Sequence, residues 1–224
     1  FMRGKRALLI SGGPVDLIFL RDYLSKERFD MVVCADAGMD TAYQLGIKPD
    51  HILGDFDSAS QETLSYFREQ GCKVDTFPAQ KDATDTELAL DFILSEQVQE
   101  IVIVGATGRR LDHFLGNLHI LYKTVRAGVV CSLVDPYNRI TMTDHPMNLR
   151  REQLYGCYIS LFPFAGSVKG LCLSGFAYEV EDFTLEPGSS RGISNEMARG
   201  KNEAKIRFTD GILLVIESRE STVM

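Results

Sequence analysis

An α/β fold with a mainly parallel sheet, followed by a smaller all-β sandwich, is the architecture this 224-residue sequence predicts. Three observations carry that prediction. Short uninterrupted apolar runs alternate with helical patterns as far as Val134, the helical period stops after Asp135-Pro136, and short strand-like runs fill the remainder. Continuous apolar strands separated by helices indicate a parallel sheet covered on both faces. The length suits one or two domains, here residues 1–135 and 136–224.

Taken in order, Ala7-Leu8-Leu9-Ile10 reads as a buried strand and Ser11-Gly12-Gly13 as a turn. Pro14 suits the first position of a helix to about Ser25. Residues 31–35 form the next strand, Asp36-Ala37-Gly38 breaks it, and a short helix runs to Leu45. His51-Ile52-Leu53 is a third strand ending at Gly54, and a helix over 60–70 leads to an extended stretch over 73–77. Thr84-Asp85-Thr86-Glu87 has the capping-box pattern that opens a helix. Residues 101–104 are an uninterrupted strand, 105–108 a loop, 113–127 a helix and 129–134 a last strand. In the second part, strands are expected at 158–162, 171–173, 204–208 and 212–216. Thr209-Asp210-Gly211 reads as a hairpin turn joining the last two.

Composition narrows the function classes. The formal charge of −7 is spread along the chain. Such a surface repels phosphate backbones, so no nucleic-acid partner is expected. The five cysteines, Cys34, Cys72, Cys131, Cys157 and Cys172, are scattered and form no C-x-x-C pair. That argues against a disulfide framework and for a reducing compartment. Neither a signal peptide nor a run of membrane-spanning length is visible, and Phe1 before Met2 reads as a residue left by a tag. The expectation is a cytoplasmic protein without membrane contact.

Four segments could carry chemistry. Gly54-Asp55-Phe56-Asp57-Ser58 follows a strand end, where open α/β sheets place ligands. Extended geometry lets Asp55 and Asp57 converge, and paired carboxylates suit Mg²⁺ bound together with phosphate oxygens. Read alone, the segment is also an ordinary acidic turn. Lys81-Asp82-Ala83-Thr84-Asp85 lies at a helix N-terminus, which welcomes acidic side chains but also attracts phosphate. Gly105-Ala106-Thr107-Gly108-Arg109-Arg110-Leu111-Asp112-His113 is a glycine loop between strand and helix, with two cations for phosphate. It matches neither the Walker A loop nor the dinucleotide fingerprint. Gly188 to Glu196 is a polar loop whose Ser and Asn side chains could meet the edge of a heteroaromatic ring.

Together these segments resemble the thiamine pyrophosphokinase family. The resemblance rests on Gly54 to Ser58, Lys81 to Glu87, Gly105 to His113, and Ser190-Arg191-Gly192-Ile193-Ser194-Asn195-Glu196, in that order along nearly the whole chain. It implies a homodimer with a shared active site, ATP as co-substrate, Mg²⁺, and pyrophosphate transfer to the thiamine hydroxyl. By the same resemblance Asp55, Asp57 and Asp85 hold the metal, with Asp36 beside them. Asp55, Asp57, Asp85 and Arg110 form the catalytic set. Lys81, Asp82, Thr84, Gly108, Arg109, Asp112 and His113 lie along the nucleotide. Ser194 and Asn195 meet the thiamine pyrimidine. The family pattern has Gly-Gly-Arg where this chain has Gly108-Arg109-Arg110. The stretch 166–175 matches loosely, and with no Trp in the chain any aromatic contact to thiamine falls to Phe or Tyr. Two other readings fit fewer of these features. One is a phosphatase using Asp55-Phe56-Asp57 as a nucleophile pair; the other is a binding module without turnover.

Overall fold

The apolar runs of the first part become strands buried on both faces, as a parallel sheet requires. The computed structural model describes residues 4–57, 59–76 and 82–220. In it the chain divides into two units, Phe1–Pro136 and Tyr137–Met224. The first unit contains β1 (Arg6–Ile10), β2 (Met31–Ala35), β3 (His51–Gly54), β4 (Lys73–Thr76), β5 (Glu100–Val104) and β6 (Val130–Val134). They lie in the order β4-β3-β2-β1-β5-β6, each neighbouring pair parallel. The central strand β1 is buried along its whole length, while the edge strand β4 is largely exposed.

The helices α1 (Leu17–Lys26), α2 (Gly38–Leu45), α3 (Gln61–Glu69), α4 (Asp85–Ser95) and α5 (Leu111–Arg126) make the crossovers. Side-chain caps fix three of their starts. Asp16 accepts from the Phe19 N–H at 2.9 Å, Ser60 from Thr63 at 3.3 Å and Thr84 from Glu87 at 3.2 Å. Two expected starts shift. Pro14 stays in the loop, because Asp16 supplies the cap and α1 begins at Leu17. Helix α5 begins at Leu111, which places Asp112 and His113 in its first turn. Lys123 ties α5 to α4 through Glu87 at 2.7 Å and Asp91 at 2.8 Å. None of the helices among the described residues is long and apolar enough to cross a membrane.

The second unit is built around one strand. The strands are β7 (Asn138–Thr143), β8 (Met147–Arg150), β9 (Tyr158–Ser174), β10 (Val180–Leu185), β11 (Asn195–Glu196), β12 (Glu203–Arg207) and β13 (Asp210–Ser218). The first half of β9 pairs antiparallel with β13 and β11, and β13 continues to β7. The second half pairs with β10 and β12, and β12 continues to β8. Between the halves Ala165 has φ 58° and Gly166 φ 144°, a local break that lets the strand leave one sheet and enter another. Leu161, Leu213 and Val215 of one sheet pack with Leu149, Leu173, Ala204 and Ile206 of the other in a shared core.

The hairpin expected at Thr209-Asp210-Gly211 is not one. β12 and β13 flank β9 on opposite sides rather than pairing with each other. The Thr209 N–H donates to the Lys169 carbonyl at 2.9 Å, so β9 takes the place a hairpin partner would hold. The dipeptide signal reports a turn; it does not report which strand the chain pairs with after it.

Candidate functional site

In the first unit the chain runs outward from β1 to β4 in one direction, then returns to lay β5 and β6 on the other side of β1. The strand order therefore reverses between β1 and β5, and ligands of open α/β sheets bind in the crevice beyond the carboxyl ends at such a point. A cleft of about 590 Å³ lies there. Its walls come from the loop after β1 (Ser11 to Pro14), the loop after β5 (Gly105 to Arg110) and the first turns of α4 and α5, with Asp36 after β2.

The two loops are stitched together by backbone bonds. Ser11 N–H donates to the Val104 carbonyl at 2.9 Å, and Gly13 N–H to the Gly105 carbonyl at 3.0 Å. A Cβ on Gly13 would lie 2.2 Å from that carbonyl oxygen, so only glycine permits the contact. Asn117 Nδ2 donates to the Ala106 carbonyl at 2.8 Å and holds the second loop against α5. At the mouth, Arg110 Nε donates to Asp112 Oδ1 at 3.1 Å, and its Nη2 engages the other oxygen. This hydrogen bond is the main reason the Asp112 carboxyl titrates at about 2. Both side chains are mostly exposed, so the pair presents an oriented guanidinium rather than a buried ion pair.

The site residues expected from sequence divide into three groups. Asp36, Thr84, Asp85, Gly108, Arg109, Arg110, Asp112 and His113 all line the cleft. Asp55, Asp57 and Asp82 are not among its lining residues. Lys81 and Ser58 lie outside the described residues. Asp55 and Asp57 nevertheless sit one strand from Asp36. The Asp36 N–H donates to the Leu53 carbonyl at 2.8 Å, and Gly54 comes so close that a Cβ there would be 3.0 Å from the Asp36 Cα. Asp57 N–H donates to Asp55 Oδ1 at 3.1 Å around Phe56, which is buried with φ 61°. The buried ring thus fixes a tight turn carrying a carboxylate on each side.

Among the described residues no three His, Cys, Asp or Glu side chains form a ready-made metal group. The donor set still suits a hard cation. Mg²⁺ commonly takes one or two carboxylates and completes its shell with water and phosphate oxygens, so a pre-assembled protein cage is not required.

In the second unit, Ser194 and Asn195 behave differently from each other. Asn195 is buried. Its Oδ1 accepts from the N–H groups of Tyr178 at 3.1 Å and Glu196 at 2.9 Å, and its Nδ2 donates to the Tyr178 carbonyl at 2.8 Å. The amide expected at a ligand is thus directed to the chain's own backbone, because burial demands partners for it. Ser194 is exposed, has φ 56°, and its N–H donates to Ser160 Oγ at 3.0 Å.

The cleft also takes Ser11 to Pro14 and Asn117, which none of the four segments includes. Two glycines and a proline directly after a buried strand are a usable signal for the loop after β1; Asn117 has none. Tyr178, whose N–H and carbonyl both bond to Asn195, stays 75% exposed.

Comparison with known proteins agrees with this layout. Residues 22–133 match the family model described as "Thiamin pyrophosphokinase, catalytic domain", and residues 144–213 match "Thiamin pyrophosphokinase, vitamin B1 binding domain". A thiamine pyrophosphokinase of Bacillus subtilis (strain 168) is 34% identical over 95% of this chain and 98% of its own. The crystal structure of a B. subtilis thiamine pyrophosphokinase superposes with a TM-score of 0.86 at 31% identity, covering 97% of this chain and 100% of that one. One from Geobacillus thermodenitrificans gives 0.83 at 30%, covering 98% and 100%. With both family models matched in order and near-complete coverage of a relative above 30% identity, the chain belongs to the thiamine pyrophosphokinase family.

Proposed function

We propose that this protein is a thiamine pyrophosphokinase, a Mg²⁺-dependent transferase that moves the terminal pyrophosphate of ATP to the hydroxyl of thiamine and releases AMP. The observation that carries the reading is the cleft at the β1/β5 reversal, which gathers Asp36, Asp85 and Arg110 with two glycine-bearing loops. Loops of this kind and the helix N-terminus of α4 offer N–H groups to phosphates.

In this reading the thiamine hydroxyl oxygen bonds to the β-phosphorus as the bond from that phosphorus to the oxygen bridging the α-phosphorus breaks. The hydroxyl proton passes to a carboxylate at the cleft. Arg110 and Arg109 offset charge on the phosphates. Asp55, Asp57 and Asp85 would hold the Mg²⁺, which supplies charge neutralisation and alignment of the phosphate chain. In the second unit Ser194 faces the thiamine ring edge, and Tyr178, set by Asn195, gives it an aromatic surface; an aromatic face attracts a cationic ring. Asn195 thus acts on thiamine through Tyr178. The working form in this reading is a homodimer, in the cytoplasm, with no nucleic-acid or membrane partner.

The test is product identity. The protein, ATP, Mg²⁺ and thiamine are incubated and the nucleotides separated. AMP formed in step with thiamine pyrophosphate is expected. ADP would indicate single phosphoryl transfer, and phosphate release without thiamine would favour the phosphatase reading.

A further inference from the structure

Ser11, the first residue after β1, and Thr86, in the first turn of α4, both line the cleft. Their hydroxyl oxygens lie 2.6 Å apart, and both residues are buried. Two hydroxyls carry two hydrogens, and the bond between them uses one. Among the described residues neither side chain makes another hydrogen bond. Among those residues the second hydrogen therefore has no protein acceptor, in a place where an unmet buried donor is costly. The opening available to it is the cleft that both residues border.

We propose that the Ser11–Thr86 hydroxyl pair donates its second O–H hydrogen to a phosphoryl oxygen of a nucleoside triphosphate seated in the cleft. The chemistry of the surroundings selects that acceptor. The backbone N–H groups of the α4 N-terminus, the loop after β5 and Arg110 are all suited to anionic oxygen. The pair is two-sided. Either hydroxyl can donate to the other, so the free hydrogen can be presented from the β1 side or the α4 side as the phosphate chain moves. This inference rests on the reading of the cleft as a nucleotide site.

Binding of Mg²⁺ with α,β-methylene-ATP tests it, because that analogue lacks the bond broken in the proposed reaction. Titration calorimetry is run alongside inorganic tripolyphosphate and adenosine. The double variant Ser11→Ala/Thr86→Val keeps the side-chain shapes closely and removes both hydroxyls. It is expected to weaken methylene-ATP and tripolyphosphate by about tenfold, the loss typical of one bond to a charged oxygen, and to leave adenosine unchanged. Either single variant leaves one O–H, whose hydrogen is no longer spent on the partner and still reaches the phosphate, so each alone should lose no more than about twofold. Ser11→Ala/Thr86→Ser, which puts one hydroxyl back, should restore affinity to within about twofold. Equal affinity in the double variant and the parent chain, with only the melting temperature lowered, would overturn the proposal and leave a strut between β1 and α4. An equal loss for adenosine would also overturn it. If the parent chain binds neither methylene-ATP nor tripolyphosphate, the nucleotide reading falls and the proposal with it.

Discussion

The two units position their candidate site residues in opposite ways. In the first, the parallel sheet is largely buried, and the proposed chemistry lies in loops at one end of the strands, held by backbone bonds such as Gly13 N–H to the Gly105 carbonyl. In the second, a strand break and a buried amide do the positioning. Asn195 holds the backbone of Tyr178, and an exposed side chain remains. The first arrangement makes the site sensitive to backbone volume. The second leaves an exposed side chain, Tyr178, that can be altered with little effect on the fold.

That contrast can be broken, or sharpened, by substitution. The largest effect is expected from Asp57→Asn in the turn after β3, which should lower turnover by at least about a hundredfold while the far-ultraviolet dichroism stays that of the parent. Near-normal turnover would remove Asp57 from the metal set. Next, Gly13→Ala places a methyl 2.2 Å from the Gly105 oxygen. It should cost about 1–3 kcal/mol, seen in urea unfolding, together with weaker ATP binding. If stability and affinity are unchanged, the backbone stitch does not set the cleft. In the second unit, Tyr178→Ala should raise the KM for thiamine about tenfold, the order of a lost cation–π and packing contact, and leave the KM for ATP and the melting temperature near those of the parent. A stability loss instead would make Tyr178 a packing residue.

A smaller effect concerns Asp112. Its carboxyl should titrate near 2 rather than 3.8 when followed by carbon NMR, chiefly through the hydrogen bond from Arg110. Because the folded value is lowered, the pairing is complete above about pH 4 and is lost as the pH falls towards 2. Arg110→Lys should return the titration towards 3.8. Least perturbing is thiol labelling. Exposed Cys157 should react first with a maleimide, and the buried Cys34 and Cys131, whose thiols burial pushes up, should stay unlabelled until the protein unfolds.

The legibility of the sequence followed the same division. Strands β1, β2 and β5 were readable because burial on both faces forces continuous apolar runs such as Ile101-Val102-Ile103-Val104. The cap at Thr84 marks a helix start because its oxygen has a definite task. The cleft was half legible. Arg110 and Asp85 sit on motifs, whereas Ser11 and Thr86 are 75 residues apart and meet only through the parallel crossovers. The β unit was harder. Nothing in Thr209-Asp210-Gly211 tells that β9 lies between the strands on either side of it, because pairing partners depend on contacts distant in sequence. The bonds from Asn195 to the Tyr178 backbone are not legible, since an amide in a polar loop and an amide clamping a neighbouring backbone have the same one-letter signature.

The 17 residues of β9 belong to both sheets of the second unit. Neither sheet can separate without tearing bonds from that strand, so local opening of one is coupled to the other. Amide exchange should show this as a ranking: Leu161, Leu171 and Leu173 exchange last and on a common timescale, while the single-sheet edge β8 exchanges earlier. A strand that serves two sheets also makes the unit intolerant of insertion at its bend, where an added residue would shift the register of one sheet against the other and turn core side chains outward.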